Sequence, residues 1–150
     1  WLDKVAIISF GFIGGVYFAF SFFVMQSLKK TSASDAFRTM NVINKVILKS
    51  PFMLLFFFSS FIAFILFLEN LILYKLISNE GFASLIFLLG MFVCTAMKNV
   101  PLNNKLADLD FNNFNYNPEI EWNDYYKNWI KWNHIRTISC FLSMVLLLIK

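Results

Sequence analysis

The 150-residue chain is 59% hydrophobic and 19% aromatic, with only 15% of its residues charged, and its mean hydropathy is +0.64. A water-soluble domain is about a quarter charged and at most about half apolar, so this much apolar surface cannot be hidden in one small core, and lipid must solvate much of it. Two cysteines exclude a disulfide scaffold and 20 phenylalanines exclude a disordered tail; the net charge of +4 lies in bands between apolar runs and argues for no nucleic-acid partner.

The chain opens at Trp1 without an initiator methionine, as a trimmed chain does, a cleaved signal peptide included. Val5 to Met25 carries no charge over 21 residues, which at about 1.5 Å per residue spans roughly the 30 Å of a bilayer core. In the next connection Ser34 or Asp35 caps an amphipathic helix that places Phe37, Met40, Ile43, Val46 and Ile47 on one side; it either lies on the membrane surface or forms the base of the second span. That second span begins at Pro51, where a missing N–H costs little, and runs through Leu68 to Tyr74. Gly81 to Met97 makes a third, and Pro101 should kink or end its helix because it cannot donate to the Met97 carbonyl.

Asp110 to Pro118 is an Asn-rich turn region. Thr137 to Ile149 is only 13 uncharged residues, about 20 Å of helix, and needs the aromatic segment Trp122 to Arg136 to complete a crossing. The expected fold is an all-α integral membrane bundle of four transmembrane helices, with spans about 5–25, 51–74, 81–98 and 129–149, an amphipathic segment between the first two and an aromatic-rich extension before the fourth. Five basic residues lie in the first long connection (Lys29, Lys30, Arg38, Lys45, Lys49) and five in the second (Lys98, Lys105, Lys127, Lys131, Arg136), against Lys4, Lys75 and Lys150 on the opposite face. The positive-inside rule then expects cytoplasmic long connections and outward termini, in a bacterial cytoplasmic membrane.

Ionisable groups at membrane depth are the first candidates for function, since each costs at least about 2.5 to 3.5 kcal/mol to insert. The only histidine, His134, and the nearby Arg136 enter with the fourth span. His134 is a candidate general base, set beside Trp129, Trp132 and Asn133. Asn99 and Asn103 are four apart, as are Thr95 and Asn99, so they share a face on which amides can bind a ligand carbonyl or hydroxyl. Helix glue, capping and an interfacial aromatic belt are the competing roles for these residues. Gly11 and Gly15 form a small-xxx-small pattern suited to close helix packing; a flat ligand among Phe12, Tyr17, Phe18 and Phe22 is the alternative. Cys94 and Cys140 form no C-x-x-C pair and read as buried thiols. No metal site is expected, since zinc and di-iron sites need ligand clusters that the sequence lacks; haem on His134 alone, or a quinone, stays open.

Four segments together, GFIGGVYFAFSFFVM, MNVINKVILKSPFMLLF, TAMKNVPLNNKLADLD and WNDYYKNWIKWNHIRT, resemble the anthrone-oxygenase-like family of small four-helix membrane proteins. The most specific blocks are N-x-P-L-N and W-N-H-x-R. They map onto Asn99, Pro101, Leu102, Asn103, Trp129, Asn133, His134 and Arg136. Gln26 stands where such proteins often have Pro, Lys45 where they often have Arg, and Lys98 at a position usually less charged. The resemblance implies a bundle of four spanning helices and, for some members, oxygenation of anthrones without a known metal or flavin. On that basis His134 would remove a proton from a phenolic polycycle, Arg136 with Asn99 and Asn103 would bind the oxygen that gains charge, and Trp129 and Trp132 would stack on the rings. The partners expected are the lipid bilayer, a lipophilic aromatic small molecule, and further copies or a larger membrane complex. In the complex, a non-catalytic accessory subunit is the competing function, and a transporter or channel a weaker one.

Overall fold

A computed structural model describes residues 1–74, 78–109 and 117–149. Lys75, Lys150 and most of the Asn-rich turn lie outside the described residues. Those that are described form five helices and no strand: α1 (Leu2–Lys29), α2 (Ala33–Ile47), α3 (Pro51–Tyr74), α4 (Asn79–Asp108) and α5 (Pro118–Leu148). The fold is all-α, and α1, α3 and α4 are long and apolar enough to cross a membrane.

Local chemistry sets the helix starts. Ser32 caps α2, two residues before the expected start: its backbone is extended (ψ 148°) and its hydroxyl accepts from the Asp35 N–H at 3.1 Å. The Asp35 carboxylate in turn accepts from Ser32 Oγ at 2.6 Å, so Asp35 completes the cap from the third helical position. Ser78 caps α4 through the Gly81 N–H, and Asn117 caps α5 with Pro118 in the first turn.

Pro101 does not end its helix. The chain passes into π-helical turns at Leu88–Val93 and Thr95–Asn99, and the Val100 N–H reaches back to the Thr95 carbonyl, five residues away. The wider hydrogen-bond spacing just before Pro101 lets α4 continue through a residue that has no N–H to give. A third such turn lies in α1 at Phe20–Val24.

α1 packs against α5 and α3, and α4 packs against the same two. Across the middle, the Phe10 and Phe87 rings stack with centroids 3.6 Å apart. Close approach depends on Gly14 and Gly90: a Cβ on Gly14 would meet Cys140 Cβ at 3.0 Å, and one on Gly90 would lie 2.5 Å from Ser139 Cβ. The expected Gly11–Gly15 face is therefore a Gly11–Gly14 face, because Gly15 meets nothing within 4 Å. Phe12, Phe18 and Phe22 point outward.

The packing of α2 is against the bundle. Phe37 and Met40 are buried in a second core with Met25, Leu106, Trp122, Tyr125 and Trp129, apart from the main core that runs from Ala6 to Leu147. The aromatic segment thus spends Trp122, Tyr125 and Trp129 on the interior, while a belt of exposed Phe, Leu and Ile side chains covers the long helices, a surface suited to lipid.

Candidate functional site

Where the two cores meet, the helices leave a cavity of about 270 Å³. Val16, Tyr17 and Phe20 of α1 line it, with Met40, Ile43, Asn44 and Ile47 of α2, Phe52, Met53 and Phe56 of α3, and Phe92 and Thr95 of α4. Asn103, Trp129 and Arg136 supply most of its polar chemistry. Phe20, Phe92 and Thr95 all belong to π-helical turns, so each of the three irregular turns borders this space, a placement such turns often have at functional sites.

Arg136 is 4% exposed, and among the described residues no carboxylate pairs with it. Its charge is held in other ways. Nη2 donates to Asn133 Oδ1 at 2.6 Å and Nη1 to Thr95 Oγ1 at 3.3 Å. The guanidinium carbon lies 4.2 Å from the Tyr17 ring centroid and 5.2 Å from that of Trp129, two aromatic faces that favour a cation. Its Nε–H reaches hydrogen-bond geometry with no described residue. A buried donor of the cavity is thus left for a ligand that brings an acceptor.

Asn133 stands behind the cavity, fully buried. Its amide nitrogen donates to the Tyr17 carbonyl and to Ser21 Oγ, both at 2.8 Å, and the Ser21 and Thr137 hydroxyls are 3.0 Å apart. These bonds use both N–H donors of the amide, which fixes the oxygen that receives Arg136. Asn103 Oδ1 accepts from Tyr125 Oη and Trp129 Nε1, each at 2.9 Å, so it holds two aromatic side chains in place. Asn99 donates to the Trp129 carbonyl at 3.2 Å. Burial pushes the Tyr125 phenol above its ordinary value, which a neighbouring Asn44 offsets only in part.

Of the residues singled out in the sequence, Arg136, Asn103 and Trp129 share the cavity, with Asn133 and Asn99 bonded behind it. His134 and Trp132 do not line it. The half-buried His134 ring lies 5.7 Å from that of Phe22, and Trp132 lies between Lys98 and Lys131, 4.8 and 5.3 Å from their ammonium groups. On a helix, neighbours two apart point in different directions, so the ring of His134 and the guanidinium of Arg136 diverge. The sequence reading missed Tyr17 as a partner of Arg136, and it missed Asn44. A legible signal existed for Asn44, an amide on the apolar stripe formed by Met40, Ile43 and Ile47. Among the described residues no cluster of three His, Cys, Asp or Glu side chains could hold a metal.

No curated protein and no solved structure matches the chain. The family model described as anthrone oxygenase matches residues 45–146, a stretch that includes α3, α4, nearly all of α5 and every site residue except those contributed by α1 and the first part of α2. The chain belongs to the anthrone oxygenase family.

Proposed function

We propose that the chain is a membrane-embedded oxygenase that binds a lipophilic phenolic polycycle in this cavity and stabilises its enolate, with no cofactor. The observation that carries this reading is Arg136: a buried guanidinium between two aromatic rings, beside an aromatic-lined space, with no carboxylate paired to it and no partner for its Nε–H among the described residues. Such a group favours the negative oxygen of an enolate over the neutral ketone, and the low-dielectric surroundings strengthen the preference. Tyr17, Phe20 and Trp129 offer faces for the flat rings. Among the described residues the lining has no carboxylate or imidazole, so we assign the chain the binding of the enolate; the acidic ring methylene gives its proton to solvent. Dioxygen is the oxidant. The methylene carbon loses both hydrogens and gains one oxygen atom as a carbonyl, and the other oxygen atom leaves with those hydrogens as water.

In this reading α5 makes the fourth crossing. Its 31 residues reach about 46 Å, and its apolar second half lies along α1 and α4. The basic long connections then face the cytoplasm.

Oxygen uptake with anthrone as probe, by the purified chain in vesicles, tests the proposal. Uptake should exceed that of empty vesicles, and Arg136→Lys should lower it by roughly 100-fold, because lysine keeps the charge but loses the planar fork and the stacked geometry. Uptake no faster than with empty vesicles would overturn the oxygenase reading.

A further inference from the structure

The cavity is buried at its floor but not at its side. Tyr17, Met40, Phe56, Trp129 and Arg136 are almost fully covered, whereas Leu48, Phe57 and Val100, which also line it, are 67%, 56% and 42% exposed. Ala96, a fourth lining residue, is exposed as well. These four form a rim from the end of α2 and the second turn of α3 across to α4, and none of them is polar. The packing explains the gap: contacts between α3 and α4 run through Asn79–Phe87 and thin out over Leu88–Val93, towards the π-helical turn that precedes Val100. Phe57 is six residues into α3, about 9 Å along its axis, within the uncharged run from Pro51 to Leu68.

An apolar rim at the depth of a spanning helix faces hydrocarbon. Water approaching that rim would gain no hydrogen bond, while a lipid-soluble ring would cross it without desolvation of any polar group. We propose that the cavity opens sideways into the bilayer between α3 and the C-terminal half of α4, so that its ligand is drawn from the membrane. The ligand class admitted is a lipid-soluble aromatic whose oxygen reaches Arg136 and whose remote edge can carry an alkyl chain left in the lipid. This takes from the preceding reading only that the cavity binds a ligand, and not that oxygen reacts there.

The six methionines report the opening without any substrate. Photo-methionine is incorporated throughout, the chain is placed in palmitoyl-oleoyl phosphatidylcholine vesicles, and lipid adducts are located by mass spectrometry after irradiation. Met97, 65% exposed, is the lipid-facing standard; Met25 and Met91 are fully buried outside the cavity, and Met40, 1% exposed, lines it. Acyl-chain adducts are expected on Met40 as well as Met97, and absent from Met25 and Met91. Ala96→Phe fills the rim and should cause loss of the Met40 adduct while Met97 keeps its own. Labelling of Met40 no greater than that of Met25 and Met91, or labelling that Ala96→Phe leaves unchanged in an inserted chain, overturns the proposal. The parent measurement decides alone if that variant does not insert. Adducts on Met40 without oxygen uptake from anthrone would leave the opening standing and remove the oxygenase reading.

Discussion

Asn133 Oδ1 accepts a hydrogen bond from Arg136 Nη2 at 2.6 Å, one helical turn apart on α5, and this bond aims the guanidinium at Thr95 and Tyr17 across the bundle. The pair puts an amide where a carboxylate would have cancelled the charge. Asn133→Asp tests what that choice does. The new carboxylate would pair with Arg136 and satisfy it internally, so helix content should be retained, while affinity for anthrone, read by quenching of tryptophan fluorescence, should fall by about tenfold or more, which corresponds to 1.4 kcal/mol or more. Unchanged affinity would mean that the guanidinium charge is not what the ligand meets.

His134 and Arg136 carry different expectations although they are two residues apart. If the enolate is held as proposed, His134→Ala should keep oxygen uptake within about threefold of the parent, well short of the 100-fold or greater loss typical of an oxyanion-stabilising group. Loss of uptake in His134→Ala with intact folding would restore the imidazole as the base and require a ligand position outside this cavity.

The sequence made the first three long helices legible because uncharged runs of 17 to 21 residues admit little else, and the N-x-P-L-N and W-N-H-x-R blocks lie on α4 and α5, which contribute Asn103, Trp129 and Arg136 to the cavity. What it could not give was direction. Whether His134 or Arg136 enters the interior depends on the rotation of α5, which is set by Gly90 against Ser139 and by Asn133 reaching the Tyr17 carbonyl, both contacts between residues far apart in the chain. The continuation of α4 through Pro101 was equally hidden, since the compensating π-helical turn has no fixed sequence signal. Tyr17 read as one aromatic among many until its ring was found under the guanidinium.

The glycines give a direct check on that rotation. Gly90→Ala would place a methyl 2.5 Å from Ser139 Cβ, forcing α4 and α5 apart, and should destabilise the fold by about 1–3 kcal/mol. Gly15→Ala meets nothing within 4 Å and should be neutral or stabilising by up to about 1 kcal/mol through helix propensity. Thermal unfolding in detergent compares them; equal midpoints for the two variants would be inconsistent with the close α4–α5 approach.

Tyr125 supplies the pH dependence. Its phenol is buried against Trp122 and Trp129 and bonded to Asn103, and burial raises its pKa above the ordinary 10.0. A group whose pKa is raised on folding contributes its full stability below the unfolded pKa and loses it as pH rises. Stability should therefore be flat with respect to this group below about pH 10 and decline above it. Absorbance near 295 nm, compared between the parent and Tyr125→Phe, isolates this residue. The difference should show no phenolate from Tyr125 at the pH where exposed tyrosines ionise, and should show it only together with loss of helical structure. A difference spectrum with an ordinary midpoint and an intact fold would mean that Tyr125 is solvated and that the second core does not close beneath the cavity.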